Sequence, residues 1–398
     1  MEENPILERN VPSPRRRERS VKSPATVSTL QSSAGVETFL MLESPPDLDL
    51  AASWKALEST YQETLKDAGL DLGTEVFVRL HVSDALNQMA RLHEKIHLRG
   101  QGGLVSLVGQ TPLQRNKLAL EAYHVKGKRP CLRRCFPGGQ FSIDHGNYQM
   151  IWGSFRPSTT GSAASQTTDL LQQLEGVAAS HGVSIRDDLL RTWFFVRDID
   201  TNYQGLVDAR RDLFERHGLT KATHYITSTG IAGEMQRHED LVALDALLER
   251  GLDPAQIRFM TAEDHLCPTH HYGVTFERGT SVVYGDRTHH FISGTASIDH
   301  RGDILHPGDL GRQIERTLEN VEALLANQGA HLSDLKQAVV YLRDASDGAR
   351  ARMALASLLP RSVPFIVVEG RVCRPGWLVE IEGLAGTSIG DPRFADYF

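Results

Sequence analysis

The chain has 398 residues, of which 40% are hydrophobic and 23% charged, and a formal net charge of -7. This is the composition of a globular protein with room for two or three domains, and the negative balance gives no field that favours nucleic acid. Four cysteines are too few for a disulfide framework, no run of about 18 apolar residues suits a membrane span, and the charged, proline-bearing start has no signal-peptide core. The expected setting is therefore a reducing cytoplasm.

Residues 1–34 read as a disordered tail. They hold Pro5, Pro12, Pro14 and Pro24 and the run Arg15-Arg16-Arg17, without an aromatic residue. Such a segment buries too little apolar surface to offset its ordering entropy. From Thr38 the chain repeats itself. Thr60–Asp84, Leu170–Asp200 and Thr317–Asp347 each read as an amphipathic helix, then Gly69, Gly182 or Gly329, then a strand ending near Asp84, Asp198 or Asp344. In the third copy Ile314, Leu318, Val321, Leu324 and Leu325 share one helical face, and Gly329 stands where a helix end favours positive φ. A second helix follows each strand, at Ala85–His97, Tyr203–Arg216 and Gly348–Leu359. Short β-rich runs at Tyr272–Glu277, Ser281–Tyr284 and His290–Ser293 precede the third helix, and Phe365–Glu369 and Trp377–Leu384 close the unit. Gly103–Val108 and Gly139–Ile143 read as strands, Arg99–Gly103 and Ser158–Thr168 as loops, and Glu234–Ile257 as a charged connecting helix. The fold class is α+β, sheets with helices packed on one face. The boundaries are a tail at 1–34, a divergent first unit at 35–140, a second unit with its connecting helix at 141–260, and a C-terminal domain at 261–398.

Several side chains carry candidate chemistry. Glu380 and Glu382 alternate on one face of a strand. Burial and a like-charged neighbour both raise a carboxyl pKa, which prepares a proton donor near neutral pH; the same pair also fits an exposed, half-polar strand. Arg191, Arg278 and Arg374 offer bidentate donors to carboxylates, and Tyr225 and Tyr272 offer hydroxyl groups. Cys373 has no base beside it in sequence, so pocket shape is its expected contribution. His265-Leu-Cys267-Pro-Thr-His270-His271 with His289-His290 matches no standard zinc spacing. Cys131 and Cys135 lack a second pair, and Arg99-Gly-Gln-Gly-Gly103 is neither a Walker nor a Rossmann signature. No metal or organic cofactor is expected.

Ile292-Ser-Gly-Thr-Ala-Ser-Ile298, His306-Pro-Gly-Asp309, the helix Gln313–Leu325, Tyr341-Leu-Arg-Asp344 and Leu378-Val-Glu-Ile-Glu-Gly-Leu-Ala385 together resemble the RidA/YjgF superfamily over about 115 residues. The resemblance implies a RidA/YjgF-like (chorismate-mutase-like) fold. Three related units in one chain would form an intrachain pseudo-trimer, and a homotrimer of whole chains stays open. Small members are imine deaminases with an arginine on the strand that here reads Pro364-Phe-Ile-Val-Val-Glu369. This chain has Pro364 or Phe365 there, and Arg361 is out of register by three or four residues. Arg191-Thr-Trp193, Thr223-His-Tyr…Thr229-Gly-Ile231 and Val372-Cys-Arg-Pro-Gly-Trp-Leu-Val-Glu380 resemble the chorismatase branch instead, and Cys373 and Ala296 resemble its 3-hydroxybenzoate-forming subtype. That resemblance implies cleavage of the enol-pyruvyl ether of chorismate, a small dianion, with Glu380 as the acid, Cys373 and Ala296 at the reaction centre, and Arg191, Tyr225, Tyr272, Arg278 and Arg374 binding substrate. The products would be pyruvate and 3-hydroxybenzoate or a dihydroxycyclohexadiene carboxylate. A non-catalytic carboxylate-binding or partner protein, or another enamine or enol reaction, are the alternatives.

Overall fold

The computed structural model describes residues 23–98, 100, 102–269 and 273–398. Residues 1–22 of the expected tail lie outside that set. So do Arg99, Gln101, His270, His271 and Tyr272.

The first unit contains β1 (Ala25–Gln31), β2 (Gly35–Glu43), α1 (Leu50–Asp67), β3 (Glu75–Val82), α2 (Ala85–Leu98), β4 (Leu104–Gly109) and β5 (Leu118–Gly127). The second contains β6 (Leu132–Phe136), β7 (Gln140–His145), β8 (Tyr148–Phe155), α3 (Ala163–His181), β9 (Leu189–Val196), α4 (Ile199–Arg216), β10 (Thr227–Ala232) and β11 (Val242–Arg250). The third contains β12 (Ile257–Phe259), β13 (Gly279–Val283), β14 (Thr288–Ala296), α5 (Leu310–Ala326), β15 (Leu335–Leu342), α6 (Gly348–Leu358), β16 (Phe365–Glu369) and β17 (Val379–Thr387).

The three sheets share one topology. Their orders are β1-β2-β5-β3-β4, β10-β9-β11-β8-β7-β6 and β12-β13-β14-β17-β15-β16. Each has a hairpin, a closing strand, a central strand and one parallel edge pair, the parallel pairs being β3/β4, β9/β10 and β15/β16. Asp49, Ser162 and Asp309 cap α1, α3 and α5 by accepting from backbone N–H groups, which supplies the partners a helix start lacks. Helix faces bury Leu57, Tyr61 and Leu65 against the first sheet and Leu170, Leu174 and Val177 against the second.

The other face of each sheet turns inward. β4 packs on β8, β10 on β14, and β15 and β16 on β2, so the units close a ring. Their inner faces merge into one core in which Phe77 stacks on Trp152 at 4.4 Å and Trp152 on Trp193 at 6.0 Å.

Four expectations change. Ala25–Gln31, assigned to the tail, is a strand paired along its length with Gly35–Glu43. Its β-branched Thr26, Val27 and Thr29 suit an edge strand, a position that needs little apolar burial. The run Glu234–Ile257 is not a helix: Val242–Arg250 is the closing strand β11, flanked by β8 and β9 and buried at every residue but the last. Residues 273–278 form no strand; Glu277 makes a single bridge to Thr227. The second sheet also begins earlier than residue 141, at Leu132, and the third at Ile257. Among the described residues no helix is long and apolar enough to cross a membrane.

Candidate active site

The ladders between closing and central strands begin at the same place in each unit, with Leu118 opposite Val82, Val242 opposite Val196, and Val379 opposite Leu342. Counting from there aligns Ala119, Ala243 and Glu380, and then Glu121, Asp245 and Glu382. An acid thus stands at the second position in all three units, whereas only the third unit carries one at the first. Glu380 is what distinguishes the third unit from the other two at this register position.

The cleft lies between the second and third units. A cavity of about 220 Å³ is lined there by Tyr203, Val207 and Arg210 of α4, Ser228–Gly230 of β10, Phe276 and Arg278 before β13, Gly294 and Ala296 of β14, Cys373, Arg374 and Trp377 before β17, and Glu380. The pairing of β14 with β17 slips between Ile292 and Thr295. Such a bulge re-aims side chains. Gly294 sits in it, and a Cβ there would lie 2.2 Å from Glu380 Oε1 and 2.7 Å from its Cδ. The missing side chain is therefore the space the carboxyl occupies. Ala296, cross-strand from Glu380, adds only a methyl group to the wall.

Glu380 is 5% exposed, and no hydrogen bond to its carboxyl is made among the described residues. Burial first, and the Glu382 charge second, push its pKa up to about 8, against the pull of Arg191 and Arg278. It can hold its proton at neutral pH. Burial, then the Glu380 charge, raise the Cys373 thiol to about 12, while a hydrogen bond with Tyr203 works the other way. Cys373 is thus a neutral thiol in the wall, not a thiolate.

The cations divide into two groups. Arg210 is 1% exposed. Its Nε donates to Thr275 Oγ1 at 3.1 Å and its Nη1 to Ser228 Oγ at 3.2 Å. Its Nη2 has no hydrogen-bond partner among the described residues. That donor has room for a water or ligand acceptor in the cavity, with the Tyr203 hydroxyl also bonding the Arg210 side chain. Arg278 Nη2 donates to the Cys267 carbonyl at 2.9 Å, and Arg374 lies over the Trp377 ring at 5.0 Å. Arg191, expected to face substrate, does not line this cavity. It is 1% exposed and donates from Nη2 to Glu382 Oε2 and Thr229 Oγ1, both at 2.6 Å. Its place on β9 turns it into the shared core, where an acid meets it.

Of the residues expected at the site, Glu380, Cys373, Ala296, Arg278 and Arg374 come together. Tyr225 lines a neighbouring cavity with His224, Cys267 and Glu277, because its backbone N–H is held by Glu277 Oε1 at 2.7 Å. Tyr272 lies outside the described residues. Arg210, Tyr203 and Trp377 were not singled out from sequence. Arg210 on a helix with Arg211 and Arg216 looks like a surface cation, and only the packing of α4 on β10 reveals its burial. His289 and His290 point to opposite sides of β14, His289 to Glu37 and His290 to Ser281.

The fold and the cleft describe a three-unit α+β protein whose C-terminal unit carries a buried acid beside several arginines. Residues 280–387 match the family model Endoribonuclease L-PSP. The chain is 31% identical over 97 residues to the 3-aminoacrylate deaminase RutC of Acinetobacter baylyi, covering 24% of this chain and 76% of that one. It is 26% identical over 258 residues to a chorismatase of Streptomyces hygroscopicus, covering 59% of this chain and 71% of that one. A chorismatase crystal structure superposes with a TM-score of 0.64 at 21% identity, over 89% of this chain and all of the other. The chain belongs to the RidA/YjgF family, also named for RutC and L-PSP. Its match to the Streptomyces chorismatase is longer than any one of its three units.

Proposed function

We propose that the chain is a chorismatase: it cleaves the enol-pyruvyl ether of chorismate in the cavity between its second and third units. The observation that carries this reading is Glu380, a buried carboxyl set against Gly294 in a cleft lined by Arg210, Arg278 and Arg374, where burial pushes its pKa up to about 8. An acid that stays protonated at neutral pH beside cations is what an anionic enol ether requires of its catalyst. The likeness to the chorismatase of Streptomyces hygroscopicus supports the same substrate.

The reaction follows from the donors present. Arg210, through its unpartnered Nη2, and Arg278 and Arg374 bind the two substrate carboxylates. Glu380 gives its proton to the terminal methylene carbon, whose π electrons form the new C–H bond. An oxocarbenium centre forms on the side chain. The ring C–O bond then breaks with its electron pair going to oxygen, which yields pyruvate and a ring cation. The ring aromatises to 3-hydroxybenzoate by moving its hydroxyl group to the vacated carbon and losing one proton, which returns to Glu380. No water is consumed on that route; capture by water gives the dihydroxycyclohexadiene carboxylate instead. The buried cleft, the neutral Cys373 and the small Ala296 favour the dry route. Cys373 acts here as a wall and weak polar contact.

Incubating the folded protein with chorismate and following pyruvate tests the assignment. Stoichiometric pyruvate and 3-hydroxybenzoate are expected. Well-folded protein that binds chorismate and releases no pyruvate would be a non-catalytic carboxylate-binding member of the family.

A further inference from the structure

Glu382 lies two residues beyond Glu380 on β17, on the same face, and the proposed chemistry does not use it. It is 4% exposed. Arg191 donates to it at 2.6 Å, Trp193 Nε1 at 3.1 Å and the Tyr341 hydroxyl at 2.7 Å, and Thr229 Oγ1 also donates to it. Four donors from β9, β10 and β15 thus converge on its two oxygens. Trp193 is itself stacked by Arg79 and Arg191, each 4.8 Å from its ring, so the donors are fixed by packing.

We propose that Glu382 is the positioning residue that keeps Glu380 protonated, by engaging Arg191 itself and placing a fixed negative charge behind the acid. The inference rests on the reading of Glu380 as the proton donor. Arg191 on β9 pulls on Glu380, while its two Nη groups face Glu382, Thr229 and Ser293. The groups around Glu380 can be followed element by element. Tyr341 faces it from β15 and is engaged by Glu382. Thr229 on β10 donates to Glu382 and accepts from the Gly294 N–H at 3.0 Å. Cys373 and Arg374 come from the segment before β17, Arg278 from the segment before β13, and Tyr203 and Arg210 from α4. Arg191 still draws on Glu380, and the Glu382 carboxylate paired with it offsets that pull. The pseudo-equivalent acids Glu121 and Asp245 are held in the same way by Arg79, at 2.6 and 3.0 Å. An acid clamped at this register position is thus a feature of all three units, and in the third unit it stands beside a second carboxyl.

The test is the pH dependence of pyruvate release from chorismate, followed with the full chain. In the wild type, kcat/KM falls as pH rises through the ionisation of Glu380. In Glu382→Gln the negative charge behind Glu380 is gone and the pull of Arg191 is no longer offset, so the fall begins at least one pH unit lower, about a tenfold loss on the alkaline side. Glu382→Asp restores the charge and returns the limb toward its wild-type position. Arg191→Met removes the opposing cation and moves the limb upward. If Glu382→Gln does not fold, the Arg191→Met shift decides. A limb that stays in place in the folded variants, with only the rate reduced, overturns the proposal and leaves Glu382 a structural group. Infrared titration of the protonated carboxyl band, assigned by its loss in Glu380→Gln, follows the same ionisation without substrate. If that band moves between wild type and Glu382→Gln while chorismate is not cleaved, the substrate assignment fails and the positioning role stands.

Discussion

Replacing Gly294 by alanine separates the fold from the acid. The new Cβ would fall 2.2 Å from Glu380 Oε1, 2.7 Å from its Cδ and 3.2 Å from Thr229 Cγ2. Ordinary carbon contacts need about 3.5 Å or more, so the carboxyl must retreat by about 1 Å. The obstruction is the end of a flexible side chain, and the protein relieves it by turning Glu380 while the backbone holds. Overpacking of this kind costs about 1–3 kcal/mol of stability, small enough for the chain to fold. A displacement of about 1 Å in a reacting group costs about a hundredfold in rate. Pyruvate release coupled to lactate dehydrogenase, read beside a thermal melt, should show Gly294→Ala folded and slowed by about that factor. Wild-type turnover in folded Gly294→Ala would refute the placement of the carboxyl against this glycine.

Arg210→Met should raise KM for chorismate by about 10- to 100-fold, the effect of one lost charge-assisted hydrogen bond of about 1.5–3 kcal/mol; an unchanged KM would exclude Arg210 as a carboxylate anchor. Acid should destabilise the chain in two stages. Burial, with His289 and Arg258, depresses His290 to about 4, so its contribution is full above about 6.5 and is lost as pH falls toward 4. Burial alone would raise Glu37, but His289 and Arg287 override it and lower it to about 2, so its contribution is lost as pH falls from about 4.5 toward 2. Unfolding free energies from denaturant titrations between pH 7 and pH 3 should fall through both windows, by a few kcal/mol in all; a flat profile would contradict the buried placement of both groups. Removing Tyr397 and Phe398 should destabilise the chain by about 3–5 kcal/mol, because Tyr397 is fully buried, meets the Tyr123 hydroxyl at 2.7 Å and gives its carbonyl to His145 at 2.6 Å; an unchanged melting temperature would show that this C-terminal clasp contributes nothing.

The repeated helix, glycine and strand were legible from sequence because each depends on local rules. Expected Gln313–Leu325 is α5 at Leu310–Ala326, and the strands ending near Asp84, Asp198 and Asp344 are β3, β9 and β15. Val242–Arg250 was not legible, since a closing strand buried on both faces has no alternation and its Leu, Ala and Glu content suits a helix. At the site, the strand pattern left Glu380 open between a buried acid and an exposed half-polar face, and only the resemblance singled it out. The division of labour among the arginines was not legible: Arg191 and Arg210 differ only in which surface their elements meet, the shared core for β9 and the cleft for α4. That difference arises where separate units pack together, and spacing along one unit does not encode it.

The most direct measurement compares wild type with Glu380→Gln on chorismate, recording pyruvate release and the ligand-induced rise in melting temperature together. A neutral, nearly isosteric side chain should leave binding intact and lower turnover by about 10²- to 10⁴-fold, the usual worth of a general acid. Turnover that survives the substitution would mean that the proton comes from elsewhere and that Glu380 is not the acid.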